Sequence, residues 1–361
     1  MRITINGLSC DILIIDRLVI DFYYIKIDII IIMKNKNISK IGEFGLIDRI
    51  KTQFTNISTD RNITANIGDD SFCFKSGKNN ICITKDMLVE EVHFKKEWIS
   101  PQELGKKSIE VNVCDIAAMG NIIPKYVFIG LGVPSKTPEM FINNLYKGFK
   151  KTCDKYKIAI AGGDIVKSDR IVISVTLVGM GKQEVIKRNS AEEGDLIGVT
   201  NTFGDAGAGI TLLYKHGIKY KYNKAQRYLI LKQNNPKARL KEAWKISEYL
   251  TSLTDASDGL YISVNLLAKD SKKGAEINMN KIPISSNLKK VFKEDKEQLN
   301  FALFGAEDYE LVFTVPDLKA ELLKKLIPKI SYIGVINSSN EIRYFYNGKE
   351  QKIKYSGYKH F

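Results

Sequence analysis

The residues of this chain whose types could do chemistry are aspartates, and they recur beside glycines or at the ends of predicted strands. They stand in Gly68-Asp69-Asp70, Thr84-Lys85-Asp86, Asn112-Val113-Cys114-Asp115, Gly162-Gly163-Asp164, Gly204-Asp205, Asp255-Ala256-Ser257-Asp258-Gly259 and Gly305-Ala306-Glu307-Asp308. Singly, each has an ordinary structural explanation, because Asp and Gly are favoured in turns and Asp or Ser caps helix starts. Asp115 is harder to explain that way. It falls well inside a predicted helix, where Asp is a poor helix former and a carboxylate among apolar neighbours needs a partner. Carboxylates arriving from separate elements would make an oxygen-rich site for a hard divalent cation. Magnesium takes one or two of them together with waters and substrate phosphates. The chain has no GxxxxGK[ST] loop and no protein-kinase catalytic-loop and Asp-Phe-Gly pair. A nucleotide would therefore be held mainly through metals, with glycine backbone amides at the turns assisting.

The elements that must position these acids follow from hydrophobic spacing. Phe44, Ile47, Ile50 and Phe54 fall at helical intervals, and 67–74 and 80–84 read as short strands. A helix is predicted over 103–119, with Ile109, Val113 and Ile116 on one stripe and Gly120 as its stop. A buried-looking strand at 126–133, a helix over 138–156 and strands at 158–161 and 171–178 complete a first half. After a Gly- and charge-rich break near 179–187 a new alternation begins. It comprises a strand at 195–200, a helix at 205–216, helices across 225–250, and a strand and helix around 253–269. Strands near 275–279 and 308–315 follow, then a tail of short strands over 331–355. Both halves mix strands and helices, which predicts two α/β domains, 33–181 and 182–361.

Composition narrows the function class. The chain has 361 residues, 44% hydrophobic and 27% charged, which fits a soluble globular protein able to bury a sizeable core. Its formal charge of +14 comes from dispersed lysines, without the aromatic-interleaved basic stripe of a nucleic-acid groove. No nucleic-acid partner is expected, and a basic balance also helps to attract anionic phosphate substrates. The five cysteines are scattered without CxxC spacing and read as reduced cytosolic thiols, so the expected location is cytoplasmic. Residues 1–32 look different from the rest, and the stretch 11–33 is Ile-rich but interrupted by charges. Its longest apolar run, 29–33, is far short of the roughly 20 residues that cross a bilayer, and no membrane association is expected. The segment reads as an over-long start ahead of Met33, with a strand-like extension as the alternative.

Read in order, the acidic motifs together with Gly42-Glu43-Phe44-Gly45-Leu46-Ile47, Asp86-Met87-Leu88-Val89-Glu90-Glu91-Val92-His93-Phe94, Val111-Asn112-Val113-Cys114-Asp115-Ile116-Ala117-Ala118-Met119-Gly120, Ser257-Asp258-Gly259-Leu260 and Glu307-Asp308-Tyr309-Glu310-Leu311 resemble the thiamine-monophosphate kinase family. The closing Gly357-Tyr358-Lys359-His360-Phe361 is similar to that family's C-terminus, and the resemblance runs from about Gly42 to the end. It implies the two-domain fold of aminoimidazole ribonucleotide synthetase, a homodimer, and transfer of the ATP γ-phosphoryl group to thiamine monophosphate with several magnesium ions. By matching position it implies magnesium ligands at Asp70, Thr84, Asp86, Asp115, Asp164, Asp255 and Asp258, with Lys85 at a ligand position the family fills with a hydroxyl residue. It implies ATP contacts at Tyr146, Gly163, Asp164, Arg188 and Ser257, and substrate contacts at His93, Glu307 and Tyr358. The first domain would carry the metal and ATP site and the dimer interface.

The chemistry suits such a set. The acceptor would be a phosphate-monoester oxygen with a second pKa of about 6, largely anionic at neutral pH, so no general base is needed. The obstacle is repulsion between two polyanions, which bridging cations and a permanently charged Arg188 would offset. Two other readings remain at this point. One is a purine-biosynthetic or selenophosphate synthetase of the same superfamily. The other is a basic nucleic-acid-binding protein, whose binding would fall steeply with salt.

Overall fold

The computed structural model describes residues 2–5, 8–11, 42–54 and 60–354, which fall into two units. In the first, β1 (Arg2–Ile5) pairs antiparallel with β2 (Leu8–Asp11), Arg2 opposite Asp11. The same unit contains the helix Gly42–Phe54 that the apolar spacing predicts. The remainder of the 1–32 segment lies outside the described residues.

The second unit contains two mixed sheets with helices. The first sheet is built from β3 (Ile63–Ala65), β4 (Phe72–Ser76), β5 (Asn79–Val89), β6 (Ile123–Val133), β7 (Ala159–Lys167) and β8 (Val172–Gly181). Their order is β3-β4-β5-β8-β6-β7, antiparallel except for β6 with β7. The second sheet comprises β9 (Leu196–Thr200), β10 (Ser252–Asp255), β11 (Gly274–Asn278), β12 (Leu311–Val315), β13 (Ile330–Asn337), β14 (Ile342–Tyr346) and β15 (Lys349–Gln351). It runs in the order β10-β12-β9-β13-β11-β14-β15.

The element that ties the sheets to the site is the helix Pro101–Ala118. Its start is fixed by a capping box: Ser100 Oγ accepts from the Glu103 backbone N–H, and Glu103 accepts from the Ser100 backbone N–H, with Pro101 in the first turn. Leu104, Ile109, Val113 and Ile116 are fully buried on it, in one cluster with Cys82, Ile129, Ile173 and Leu177 of the first sheet. The helix also packs against β10. It lies close to the Glu139–Tyr156 helix because both carry glycine at the crossing. A Cβ on Gly105 would stand 2.2 Å from the Leu145 carbonyl oxygen, and one on Gly148 2.1 Å from that of Gln102.

Two sequence expectations change. Residues 67–71 form a tight turn in place of a strand, with Gly68 at φ +110° and Ile67 exposed, so the Asp69-Asp70 pair is carried by a bend between β3 and β4. Cys73 and Cys82, expected as separate reduced thiols, face each other in the β4–β5 register with Cα atoms 4.2 Å apart and are joined as a disulfide. Spacing alone hid this, because a hairpin turning at Gly77 sets the register. The helices Ser286–Val291, Asp295–Phe304 and Ala320–Leu326 lie in stretches where no element was expected.

Candidate active site

Strand alternation decides which acids meet. On β5, Cys82 and Thr84 are buried while Lys85 and Met87 are exposed, so the even positions face the Pro101–Ala118 helix and the odd ones face outward. Thr84 Oγ1 donates to Asp115 Oδ2, and the Asp86 backbone N–H donates to Asn112 Oδ1 at 3.2 Å. The helix aligns Ser108, Asn112 and Asp115 on one face, since they are spaced four and three apart. Asn112 is fully buried and is pinned by donating to the Ser108 carbonyl oxygen at 3.1 Å.

Three carboxylates converge. Oxygens of Asp70 from the β3–β4 turn, Asp115 from the helix and Asp255 from the end of β10 lie within 4.8 Å of one another. Burial and repulsion from neighbouring carboxylates raise the proton affinity of Asp115 and Asp255. Asp115 is pushed well above the usual carboxylate range by desolvation, then by Asp86, Asp255 and Asp70, with Thr84 opposing. Asp255 is pushed up by desolvation and by Asp70, while Arg188 pulls it down. Desolvation, then Asp258, Glu307 and Asp70, bring Asp86 to about 6. Asp258 therefore sits in the same acidic field. Burial and Asp70 raise the neighbouring Asp69 to about 6 as well.

One cation is already present. Arg188 forks onto Asp70, with Nε donating to Oδ2 at 3.2 Å and Nη2 to Oδ1, and its Nη1 donates to the Gly68 carbonyl oxygen at 3.0 Å. Burial disfavours its charge, but Asp70, with Asp69 and Asp255, more than restores it. Thr254 Oγ1 adds a third donor to Asp70, at 3.2 Å from Oδ1.

Glu307 lies at the rim of this cluster. Its Oε2 accepts from Lys107 Nζ at 3.0 Å and from Gln233 Nε2, and its backbone N–H donates to the Ser257 carbonyl oxygen at 2.6 Å. His93 lies in the turn after β5, where its Nδ1 accepts from the Val89 backbone N–H at 3.0 Å.

The remaining expected residues lie elsewhere. Lys85 is on the outward face of the first sheet, where its ammonium donates to Ser174 Oγ at 2.7 Å and Thr176 Oγ1 at 3.4 Å. Pointing away from the carboxylates and itself a cation, it adds no ligand to the cluster. Asp164 lies outward on the exposed edge strand β7, paired in register with Gly130 and accepting from the Ile165 N–H at 2.9 Å. Gly163 is required there because a Cβ would stand 2.0 Å from the Ile129 carbonyl oxygen of β6. Tyr146 packs edge-on against Phe149 on the Glu139–Tyr156 helix. Tyr358 lies outside the described residues.

Sequence reasoning singled out neither Asn112, Lys107, Gln233 nor Thr254 as a functional residue. For Asn112 the signal was available in the polar stripe it shares with Ser108 and Asp115, spaced four and three apart beside the apolar stripe of Ile109, Val113 and Ile116. Lys107, Gln233 and Thr254 carry no such pattern.

The comparisons agree with this architecture. Residues 68–181 match the AIR synthase related protein N-terminal domain, and 192–347 match the C-terminal domain. Both halves of an AIR synthase related protein are thus present in order. The thiamine-monophosphate kinase of Aquifex aeolicus (strain VF5) is 35% identical over 325 residues, covering 90% of this chain and 99% of that protein. The thiamine-monophosphate kinase of Bacillus subtilis (strain 168) is 33% identical over 332 residues, 89% of this chain and 100% of that one. The solved structure "AaThiL complexed with AMPPCP and TMP" matches with a TM-score of 0.79 at 35% identity, covering 91% of this chain and 99% of that chain. The chain belongs to the thiamine-monophosphate kinase family, a family of phosphotransferases.

Proposed function

We propose that this chain transfers the γ-phosphoryl group of ATP to thiamine monophosphate, giving thiamine diphosphate and ADP. A non-bridging oxygen of the acceptor phosphate bonds to the γ-phosphorus as the bond from that phosphorus to the β–γ bridging oxygen breaks. The observation that carries the reading is the convergence of Asp70, Asp115 and Asp255, in a chain aligned almost end to end with a relative solved with an ATP analogue and TMP.

The donor set fits magnesium. It is all oxygen, and Asp255 Oδ2 is buried without a hydrogen-bond partner among the described residues, as expected of a carboxylate oxygen kept for a cation. Asp70, Thr84, Asp86, Asp115, Asp255 and Asp258 would hold the ions, with Asp164 contributing from β7. Magnesium supplies charge neutralisation and alignment of the two phosphates. The chain's own residues do the rest. Arg188, anchored at Gly68 and Asp70, presents its guanidinium beside the metal ligands as a phosphate contact. Ser257 and Gly163 offer further ATP contacts, Tyr146 lends an aromatic face, and His93, Glu307 and Tyr358 recognise the thiamine portion. No acid–base residue is required.

The reading includes a two-domain division near residue 182, a cytoplasmic location, a homodimer, and no nucleic-acid or membrane partner. Among the described residues, no helix is long and apolar enough to cross a membrane. The homodimer is supported by the outward face of the first sheet, where the apolar side chains of Met87, Tyr126 and Phe128 stand between 44% and 48% exposed. The decisive test is to mix the purified protein with ATP, magnesium and thiamine monophosphate and to quantify ADP and thiamine diphosphate. A folded protein that makes neither under saturating conditions overturns the assignment.

A further inference from the structure

A buried lysine is costly unless a specific partner holds its charge, and Lys107 is only 1% exposed. It rises from the Pro101–Ala118 helix to place Nζ 3.0 Å from Glu307 Oε2 and 3.1 Å from the Gln233 carbonyl oxygen. Gln233, 4% exposed, turns its own amide Nε2 to the same Glu307 oxygen. Two donors from two helices therefore converge on Oε2, while no described hydrogen bond reaches Oε1. The backbone is committed as well. Glu307 has φ +67° and Tyr309 has φ +51°, a left-handed conformation that non-glycine residues adopt only when their surroundings impose it. The Glu307 N–H to Ser257 bond closes that loop onto the segment between β10 and the next helix.

We propose that Lys107 and Gln233 are positioning residues that occupy Oε2 of Glu307, leaving Oε1 as a single oriented acceptor for the amino group of the substrate's aminopyrimidine ring. This rests on the reading of Glu307 as a thiamine contact. The arrangement solves a problem peculiar to this site. A freely rotating carboxylate beside Asp86 would join the acidic cluster and compete for its cations. With one oxygen saturated by an ammonium and an amide, Glu307 keeps one committed oxygen and one open acceptor, and the Lys107 charge lowers its attraction for a further divalent ion. Among the described residues Lys107 bonds to the Gln233 carbonyl and to Glu307, and it acts through Glu307.

The test is a double-mutant cycle on full-length protein with magnesium, reading kcat and both KM values alongside the thermal midpoint. Lys107→Met keeps the side chain's length without its charge. It should raise the KM for thiamine monophosphate about tenfold while the KM for ATP and kcat stay within about twofold, the pattern of lost ground-state binding. In a Glu307→Gln background, Lys107→Met should change that KM by less than about twofold, because its contact is already altered. An unmoved substrate KM, equal effects in both backgrounds, or parallel rises in both KM values would overturn the proposal. Should Lys107→Met fail to fold, Gln233→Met removes the neutral donor to the same oxygen, and an unchanged substrate KM there overturns it equally. Wild-type protein that makes no thiamine diphosphate would overturn the underlying reading as well, whereas active wild type with unmoved variants overturns this proposal alone.

Discussion

Replacing Asp115 by Asn separates a metal-binding role from a packing role. Asn keeps the size of the side chain and can still accept from Thr84 Oγ1, the hydrogen bond that Asp115 makes. The charge is what changes. Oxygens of Asp115, Asp70 and Asp255 lie within 4.8 Å of one another, and two unit charges at that distance repel by about 3.5 kcal/mol at an effective dielectric of 20. Without metal, Asp115 is therefore a liability when ionised, in keeping with its raised proton affinity. Asp115→Asn should leave the metal-free thermal midpoint no lower than wild type at pH 8. Magnesium at a hundred times its dissociation constant adds about 2.7 kcal/mol to a protein that binds it only when folded, or roughly 5–10 °C at the usual 2–4 °C per kcal/mol. The variant should lose at least half of that increment, and turnover should fall roughly a hundred- to a thousand-fold. The assay is differential scanning fluorimetry with EDTA and with magnesium, alongside product formation. A metal-free midpoint lowered by more than about 5 °C with the magnesium increment intact would refute the reasoning and make Asp115 structural.

Three further outcomes follow from the same geometry. Asp86 has a folded-state pKa raised to about 6 by burial and its acidic neighbours, so its stability contribution is full below the unfolded value near 3.8 and is lost as pH rises through 6. Metal-free wild type should therefore lose stability relative to Asp86→Asn between pH 4 and 7 in chemical denaturation, and the magnesium-induced gain should grow over the same interval. Glu310 is fully buried and accepts from Thr200, Asn201 and the Nε and Nη2 of Arg239. Arg239→Met should consequently cost about 3–5 kcal/mol in urea unfolding by stranding that charge. Co-expressed Asp115→Asn and Asp164→Asn chains should recover about a quarter of wild-type turnover if each site draws Asp164 from the partner of a two-fold dimer, whereas single-mutant dimers stay inactive.

Much of the fold was legible because its cause is local. The helix Pro101–Ala118 announces itself through Ser100, Pro101 and Glu103 at one end and Gly120 at the other. The strands around 123–133 and 172–181 are apolar runs bounded by turn residues. What stayed hidden depends on register and on distant partners. The Gly68-Asp69-Asp70-Ser71 turn is legible in its turn-forming residues, but its purpose is not, since Asp70 meets Arg188 more than a hundred positions away. The Cys73–Cys82 pairing exists only once β4 and β5 are in register. Lys107 resembled any lysine on an amphipathic helix until Gln233 and Glu307, both remote in sequence, surrounded it.

The same register argument constrains how the site is completed. Asp70, Thr84, Asp86, Asp115 and Asp255 meet on the helix side of the first sheet, whereas Asp164 and Lys85 lie on its other face. Along the sheet, Asp164 is opposite Gly130 of β6, Gly130 is opposite Ser174 of β8, and Ser174 is opposite Met87 of β5. Three inter-strand steps of about 4.8 Å put Asp164 roughly 14 Å from β5, and the sheet itself intervenes. A small ion cannot be shared across that separation within one chain. The role that resemblance gives Asp164 thus requires either a ligand that wraps the strand ends or a second chain docked on the outward face. That face is the one carrying the exposed apolar side chains Met87, Tyr126 and Phe128. Burying them in a dimer would cover Asp164 as well, and complementation between Asp115→Asn and Asp164→Asn chains decides whether Asp164 reaches the neighbouring cluster around the strand ends.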